Sequence, residues 1–162
     1  MSDNKFDLLI FDWEGTLANV HLSLKMNQGA KLFDGVELGI KNLKRQGYLL
    51  SIATGKGIKS LNQDLIDTNL KDDFLISKTV DDCFSKPHPQ MILEILNYTM
   101  VDAKKALMIG DSSCDLEMAK NAGIGRTVRV LDVSEKRSNE IIADQTVDSI
   151  AEMVVAVREH LA

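Results

Sequence analysis

The chain has little of what holds small extracellular domains together or carries a protein across a membrane. Its 162 residues include two cysteines and two prolines, and 5% of them are aromatic. Cys83 and Cys114 lie far apart and outside any CxxC pattern, which excludes a disulfide framework and indicates a reduced chain. No apolar run approaches the roughly 20 residues that span a bilayer, and the first residues, MSDNKFD, do not resemble a secretory signal. We therefore expect a cytoplasmic location.

Positive charge is also scarce. The formal net charge is −5 and no Lys/Arg-rich run is present, which argues against a nucleic-acid-binding surface and against an anionic membrane surface as partner. An anionic small molecule is not excluded, because a metal ion and one lysine can reverse the charge locally. The hydrophobic fraction of 44% is that of an ordinary globular protein. We expect one domain over residues 1–162.

Strand-like and helix-like segments alternate along the chain. Short apolar runs predict strands at 6–11, 48–54, 74–80, 106–110 and 126–131. Amphipathic spacing and glycine or proline signals predict helices at 36–47, 57–70, 89–100, 113–123 and 148–161. Because such alternation produces βαβ units, the predicted fold class is α/β, a three-layer Rossmann-like fold with a central, mostly parallel sheet flanked by helices.

Polar residues collect where the predicted strands end, which is where doubly wound sheets gather their functional groups. The candidates are Asp12 and Glu14 after the first strand, Thr54, Gly55 and Lys56 after the second, Asp111, Ser112 and Asp115 after the fourth, and Lys86 ahead of a helix. Several carboxylates at one edge would repel one another and raise their pKa values. Mg²⁺ removes this repulsion, because it binds carboxylate and phosphate oxygens. A threonine hydroxyl, a glycine amide and a lysine can then hold a phosphoryl group.

These residues resemble the four motifs of the haloacid dehalogenase superfamily of phosphohydrolases. Its first motif, an apolar strand followed by DxDGT, is similar to LLIFDWEGT, with Glu14 in place of the second Asp. The second, a strand ending in Ser or Thr, matches SIATG at Thr54, and the third, a lysine before a helix, matches SKPHP at Lys86. The fourth, GDxxxD, matches GDSSCD at Asp111 and Asp115. Downstream, NAGIGRTVRV and ADQTVDSIAEM resemble the phosphoglycolate-phosphatase-like branch.

The resemblance implies an Mg²⁺-dependent phosphatase that forms an aspartyl-phosphate. Asp12 would attack phosphorus and bind the metal. Glu14 would protonate the leaving group and then activate water, and its backbone carbonyl would help to bind the metal. Asp111 would be a metal ligand, directly or through water, with Asp115 close behind it. The residues implied to hold the phosphoryl group are Thr54 and Lys86, of which Lys86 would also pair with Asp12.

Each motif also has a simpler interpretation. Acid-x-acid after a strand is often a polar turn, Asp111 or Ser112 could cap a helix, and Lys86 could be one more solvated lysine. A receiver domain would carry its phosphoacceptor after the third strand, and a phosphonate hydrolase of the same superfamily would need a cap with a Schiff-base lysine. The remaining alternative is a phosphatase fold retained as a binding or regulatory module, which Glu14 alone favours.

Residues 17–34 form a short insert where many relatives carry a cap domain. Because only a loop or a single short helix fits there, the resemblance implies a capless or minimally capped member. An open site suits a large phosphorylated substrate, or a small phosphorylated metabolite if a second subunit closes the site, so a homo-oligomer is a hypothesis.

Glu14 differs from Asp in reach more than in acid strength, since the reference pKa values are about 4.3 and 3.9. One methylene displaces the carboxyl group by roughly 1 Å, and a misplacement on that scale can cost ~100-fold in rate. We expect a working but slower enzyme. Glu14→Ala should lower turnover markedly, whereas Glu14→Asp should keep or raise it.

Overall fold

A computed structural model describes residues 5–131 and 143–159 and shows one parallel sheet between two layers of helices. The strands are β1 (Leu8–Phe11), β2 (Leu49–Ala53), β3 (Ile76–Lys78), β4 (Ala106–Gly110), β5 (Arg126–Val130) and β6 (Gln145–Val147). The helices are α1 (Val20–Met26), α2 (Val36–Arg45), α3 (Ile58–Asp67), α4 (Gln90–Thr99), α5 (Ser113–Asn121) and α6 (Ile150–Glu159). A 3₁₀ turn at Ala103–Lys105 precedes β4.

The sheet order, β3-β2-β1-β4-β5-β6, confirms the predicted fold class, and each described strand pairing is parallel. Strand β1 lies in the interior, with Phe11 in register with Ile52 of β2 and with Ile109 of β4. Parallel strands end at the same edge of a sheet. The residues that follow β1, β2 and β4 are therefore neighbours in space although they lie far apart in sequence.

Alternation along β1 explains why its whole apolar run is buried. Leu9 and Phe11 pack on one face of the sheet, in the core that contains residues of α2 and α6. Leu8 and Ile10 pack on the other face, with residues of α4 and α5. All four side chains have no solvent exposure, as expected for a parallel strand covered by helices on both faces.

The predicted helices and strands match the structure to within a few residues at their ends. Strand β6 was missed, because it is a three-residue edge strand whose sequence, QTV, has no extended apolar run. Helix α4 begins at Gln90, with Pro89 as its N-cap residue rather than its first helical residue. The last residues of the helix predicted over 148–161 lie outside the described part of the chain.

The segment 17–34 contains one short helix, α1, which has no buried residue. At the start of α1 the Leu22 amide donates a hydrogen bond to Asn19 Oδ1, and the Lys31 amide donates one to Ser23 Oγ within the helix. The Ala30 amide donates to Asp67 on α3, which fixes the segment beside that helix. Among the described residues, no helix has the length and apolar character that a membrane crossing requires.

Candidate active site

An open cleft of about 270 Å³ lies where β1, β2 and β4 end. Its lining consists of the nine residues that the sequence pattern placed at the ends of the strands and ahead of α4. The lining residues are Asp12, Glu14, Thr54, Gly55, Lys56, Lys86, Asp111, Ser112 and Asp115. Because the strands are adjacent in the sheet, motifs separated by up to about 100 positions of sequence meet at one edge.

Asp12 is buried at the centre of this cleft, with 8% of its surface exposed. Its Oδ1 accepts hydrogen bonds from the Trp13 amide at 2.7 Å and from Lys86 Nζ at 2.8 Å. Burial raises the pKa of Asp12 well above its ordinary value; the charge of Lys86 opposes the rise and that of Asp115 adds to it. Lys86 is thus the neighbour that favours the charged form of Asp12, and a carboxylate must be charged to act as a nucleophile.

Lys86 joins the first and fourth motifs. In addition to Asp12, its Nζ contacts Asp115 Oδ1 at 2.5 Å, and the lysine side chain is 10% exposed. Burial works against the charged form of Lys86, but the charges of Asp12 and Asp115 together outweigh it and raise the pKa of the lysine. The simpler interpretation of Lys86 as a solvated lysine is therefore wrong, and the expected pairing with Asp12 is present.

Asp115 has two functions in the fold. Ser112 is the N-cap residue of α5, and its amide and hydroxyl both donate to Asp115 Oδ2, at 3.2 and 2.9 Å. Of the two caps that the simpler interpretation allowed, Ser112 is the one present, but the same bonds also orient the fully buried Asp115 carboxylate so that Oδ1 contacts Lys86.

Three carboxylates, of Asp12, Asp111 and Asp115, each place an oxygen within 4.8 Å of the other two. Asp111 Oδ1 also accepts from the hydroxyl of the buried Thr16 at 3.1 Å, and burial together with the charge of Asp115 raises the pKa of Asp111. Hard oxygen ligands that repel one another are the donor set that Mg²⁺ prefers, so these residues fit the metal. The Glu14 carboxylate does not belong to this group; a metal contact through its backbone carbonyl stays a prediction.

Thr54 and Gly55 lie at the end of β2, beside Asp12. The Thr54 amide donates to the Lys78 carbonyl of β3, and its hydroxyl oxygen accepts from the Lys56 amide at 3.1 Å. The hydroxyl proton is therefore directed away from Lys56 and can be donated to an oxygen in the cleft. A Cβ atom at Gly55 would meet open space, which leaves room for a phosphoryl group near this amide.

Glu14 and Lys56 form an ion pair that the sequence analysis missed. Lys56 Nζ lies 2.7 Å from Glu14 Oε1 and 3.0 Å from Asp64 Oδ2 on α3, and Trp13 Nε1 donates to the same Asp64 oxygen at 2.9 Å. The position of Lys56 after β2 was visible in the sequence, but nothing in the pattern pointed to Asp64 as its partner.

The histidines at positions 21 and 88 and Cys114 lie outside the cleft lining. His88 packs against the ring of Phe84, with centroids 4.9 Å apart, and its Nδ1 accepts from the Gln90 amide. His21 is on α1, and Cys114 is exposed on α5 without lining the cleft.

Comparison with known proteins agrees with the motif resemblance. The family described as haloacid dehalogenase-like hydrolase matches residues 12–129. A probable phosphatase, IndB, of Dickeya dadantii is 35% identical over 134 residues, which are 80% of this chain and 57% of the relative. Pyrophosphatase PpaX of Bacillus cereus is 34% identical over 85 residues, 52% of this chain and 39% of the relative. The chain thus spans about half the length, or less, of these relatives.

Solved structures share the fold at low sequence identity. A predicted phosphoglycolate phosphatase from Haemophilus somnus superposes with a TM-score of 0.79 at 18% identity, over 94% of this chain and 98% of that one. A HAD phosphatase from Thermococcus onnurineus also has a TM-score of 0.79, at 20% identity and with the same coverage of both chains. The family match over most of the chain, with its motifs meeting in one cleft, shows that this protein belongs to the haloacid dehalogenase-like hydrolase family.

Proposed function

We propose that this protein is an Mg²⁺-dependent phosphatase that hydrolyses phosphoric monoesters through an aspartyl-phosphate on Asp12. The observation that carries the proposal is the buried Asp12 carboxylate, held by Lys86 beside Asp111 and Asp115 at the end of three adjacent strands. The names of the relatives, a probable phosphatase and a pyrophosphatase, support the hydrolysis of a phosphate ester or anhydride.

The reaction has two displacements at phosphorus. In the first, an Asp12 carboxylate oxygen forms a bond to phosphorus, the ester P–O bond breaks, and Glu14 gives its proton to the departing alkoxide. In the second, Glu14 takes a proton from water, whose oxygen attacks phosphorus while the bond to Asp12 breaks and inorganic phosphate leaves. Thr54, Gly55 and Lys86 hold the phosphoryl oxygens in both steps.

The metal would be held by Asp12, Asp111 and Asp115, with the Glu14 carbonyl as a further ligand. When bound, Mg²⁺ neutralises the clustered carboxylates and polarises the phosphoryl oxygens. The raised pKa values of Asp12 and Asp111 support this assignment, because a cation in the cluster would offset the cost of burying their charged forms.

We further propose that the chain is a single capless or minimally capped domain. No described residue of 17–34 lines the cleft, and none of the residues of α1 is buried, as residues that covered the cleft would be. An open cleft suits a phosphorylated group on a larger molecule, or a small phosphorylated metabolite if a second copy of the chain closes the site. The cytoplasmic location expected from the sequence stays a prediction.

Hydrolysis of p-nitrophenyl phosphate with Mg²⁺ and with EDTA tests the proposal, with Asp12→Asn as the control. We expect metal-dependent turnover in the wild type, and a loss of about 10²–10⁴ in turnover for Glu14→Ala, the range for a missing general acid–base group. No metal-dependent turnover above the Asp12→Asn level would favour a binding or regulatory module. Equal rates for wild type and Glu14→Ala would remove Glu14 from the mechanism while leaving the nucleophile untouched.

A further inference from the structure

A second lysine, Lys56, lies in the cleft and makes contacts that the proposed reaction leaves unused. The two cleft lysines divide the carboxylates into two sets: Lys86 contacts Asp12 and Asp115, whereas Lys56 contacts Glu14 and Asp64. The two acids of the DxE motif are therefore held by different cations, although they are only two residues apart. This division keeps the Glu14 carboxylate out of the cluster of three that surrounds Asp12.

Lys56 is itself held in place by the core of the protein. Trp13 has no solvent exposure and packs edge-on against Phe74, with ring centroids 6.5 Å apart. Its Nε1 fixes Asp64 Oδ2, and the same oxygen contacts Lys56 Nζ at 3.0 Å. The lysine side chain is 19% exposed and lines the cleft, and the contact with Asp64 fixes the position of its ammonium group.

Among residues 5–131 and 143–159, by contrast, Lys56 is the one hydrogen-bond partner of the Glu14 side chain. The side chain is 45% exposed, and a glutamate that is free to rotate loses rotamer entropy when it is fixed. With Oε1 bound to Lys56 Nζ, only Oε2 remains for a leaving group. We infer that Lys56, anchored through Asp64 and Trp13, is the positioning residue that fixes Glu14 for proton transfer; this inference rests on the proposed phosphatase function.

The length of the Glu14 side chain follows from this arrangement. The ion pair spans 2.7 Å, and an aspartate at this position would withdraw the carboxyl group by roughly 1 Å, beyond hydrogen-bonding distance unless the backbone moved. The extra methylene is thus what links position 14 to Lys56. An aspartate there would have to work without this lysine.

The test is the effect of Lys56→Met on kcat/KM for two substrates, ethyl phosphate and p-nitrophenyl phosphate, in the wild-type and Glu14→Asp backgrounds. Departure of ethoxide requires a proton, whereas p-nitrophenolate leaves without one. We expect Lys56→Met to lower kcat/KM for ethyl phosphate by about 10- to 100-fold and to change that for p-nitrophenyl phosphate by less than about threefold. In the Glu14→Asp background the substitution should change neither value by more than about threefold.

The matched control is Lys41→Met. Lys41 is on α2, outside the cleft lining, and its Nζ lies 2.9 Å from Asp73 Oδ2. Urea denaturation of both variants shows whether either is unfolded. An equal loss on both substrates would assign Lys56 to substrate binding or structure and overturn the inference. So would an equally large loss in the Glu14→Asp background. A wild type without metal-dependent activity on either substrate would instead overturn the proposed function, and the inference with it.

Discussion

Removing the charge of Lys86 is expected to destabilise the fold strongly at neutral pH and much less in mild acid. Lys86→Met keeps most of the side-chain volume but leaves Asp12 and Asp115 without their shared cation. The Asp12 side chain is 11% exposed and that of Asp115 is fully buried. Oxygens of these two carboxylates lie within 4.8 Å of one another. At an effective dielectric constant of about 20, two unit charges at this distance repel by about 3.5 kcal/mol. Breaking a buried ion pair from one side costs a similar amount, about 3–5 kcal/mol.

Protonation of one carboxylate limits this cost and makes it depend on pH. Holding a proton on an aspartate of unfolded pKa about 3.9 costs about 4 kcal/mol at pH 7 and about 1.5 kcal/mol at pH 5. Above pH 4 the folded variant binds more protons than the unfolded chain. Its free energy of unfolding therefore falls as the pH rises. We therefore expect Lys86→Met to lower the free energy of unfolding by about 3–4 kcal/mol at pH 7 and by about 1.5 kcal/mol at pH 5.

Urea denaturation at pH 5, 6 and 7 without metal measures these values, and Lys41→Met is the control. The Lys41–Asp73 pair is more exposed, with the lysine side chain 29% accessible, so its loss should cost at most about 1 kcal/mol at each pH. A Lys86→Met cost below about 1 kcal/mol at pH 7, or a cost that does not change between pH 5 and 7, would refute the electrostatic account of this site.

Four further results are expected. Because burial raises the pKa values of Asp12 and Asp111, the metal-free protein should lose stability from pH 4 to 7. Mg²⁺ at 100 times its Kd should restore about 2.7 kcal/mol in thermal denaturation, and an equal shift in Asp111→Asn would contradict the metal assignment. Gly15→Ala should cost at least about 1–2 kcal/mol and abolish that shift, because Gly15 has φ of +81° and a Cβ there would strike the Asp111 carboxylate; a variant of unchanged stability would contradict this. A disulfide reagent at pH 8 should label Cys114 at once and Cys83 only after unfolding, since burial raises the Cys83 pKa to about 11; rapid labelling of both would be inconsistent with the structure.

The main elements were predictable because local pattern and tertiary environment agree in them. The run ALMIG predicted β4 with the bounds that the structure has, since a strand covered on both faces needs an uninterrupted apolar run. In helix α3 the apolar spacing predicted a wider buried face than the structure has. Spacing assigned Ile58, Leu61, Leu65 and Ile66 to one face, yet Ile58 and Ile66 are 38% and 54% exposed. A helix buries only the stripe that its neighbours cover, and spacing does not say how wide that stripe is.

The sequence by itself determined the fold class, the family and the group of residues that line the cleft. Apolar runs that alternate with helices allow few architectures, and parallel strands bring their following residues to one edge. Only the tertiary structure decided how those residues are paired. Lys56 is 42 positions from Glu14 and eight from Asp64, so no local pattern links the three. Which carboxylate contacts which lysine depends on side-chain positions that the packing around Trp13 sets, and this pairing separates the Glu14 carboxylate from that of Asp12.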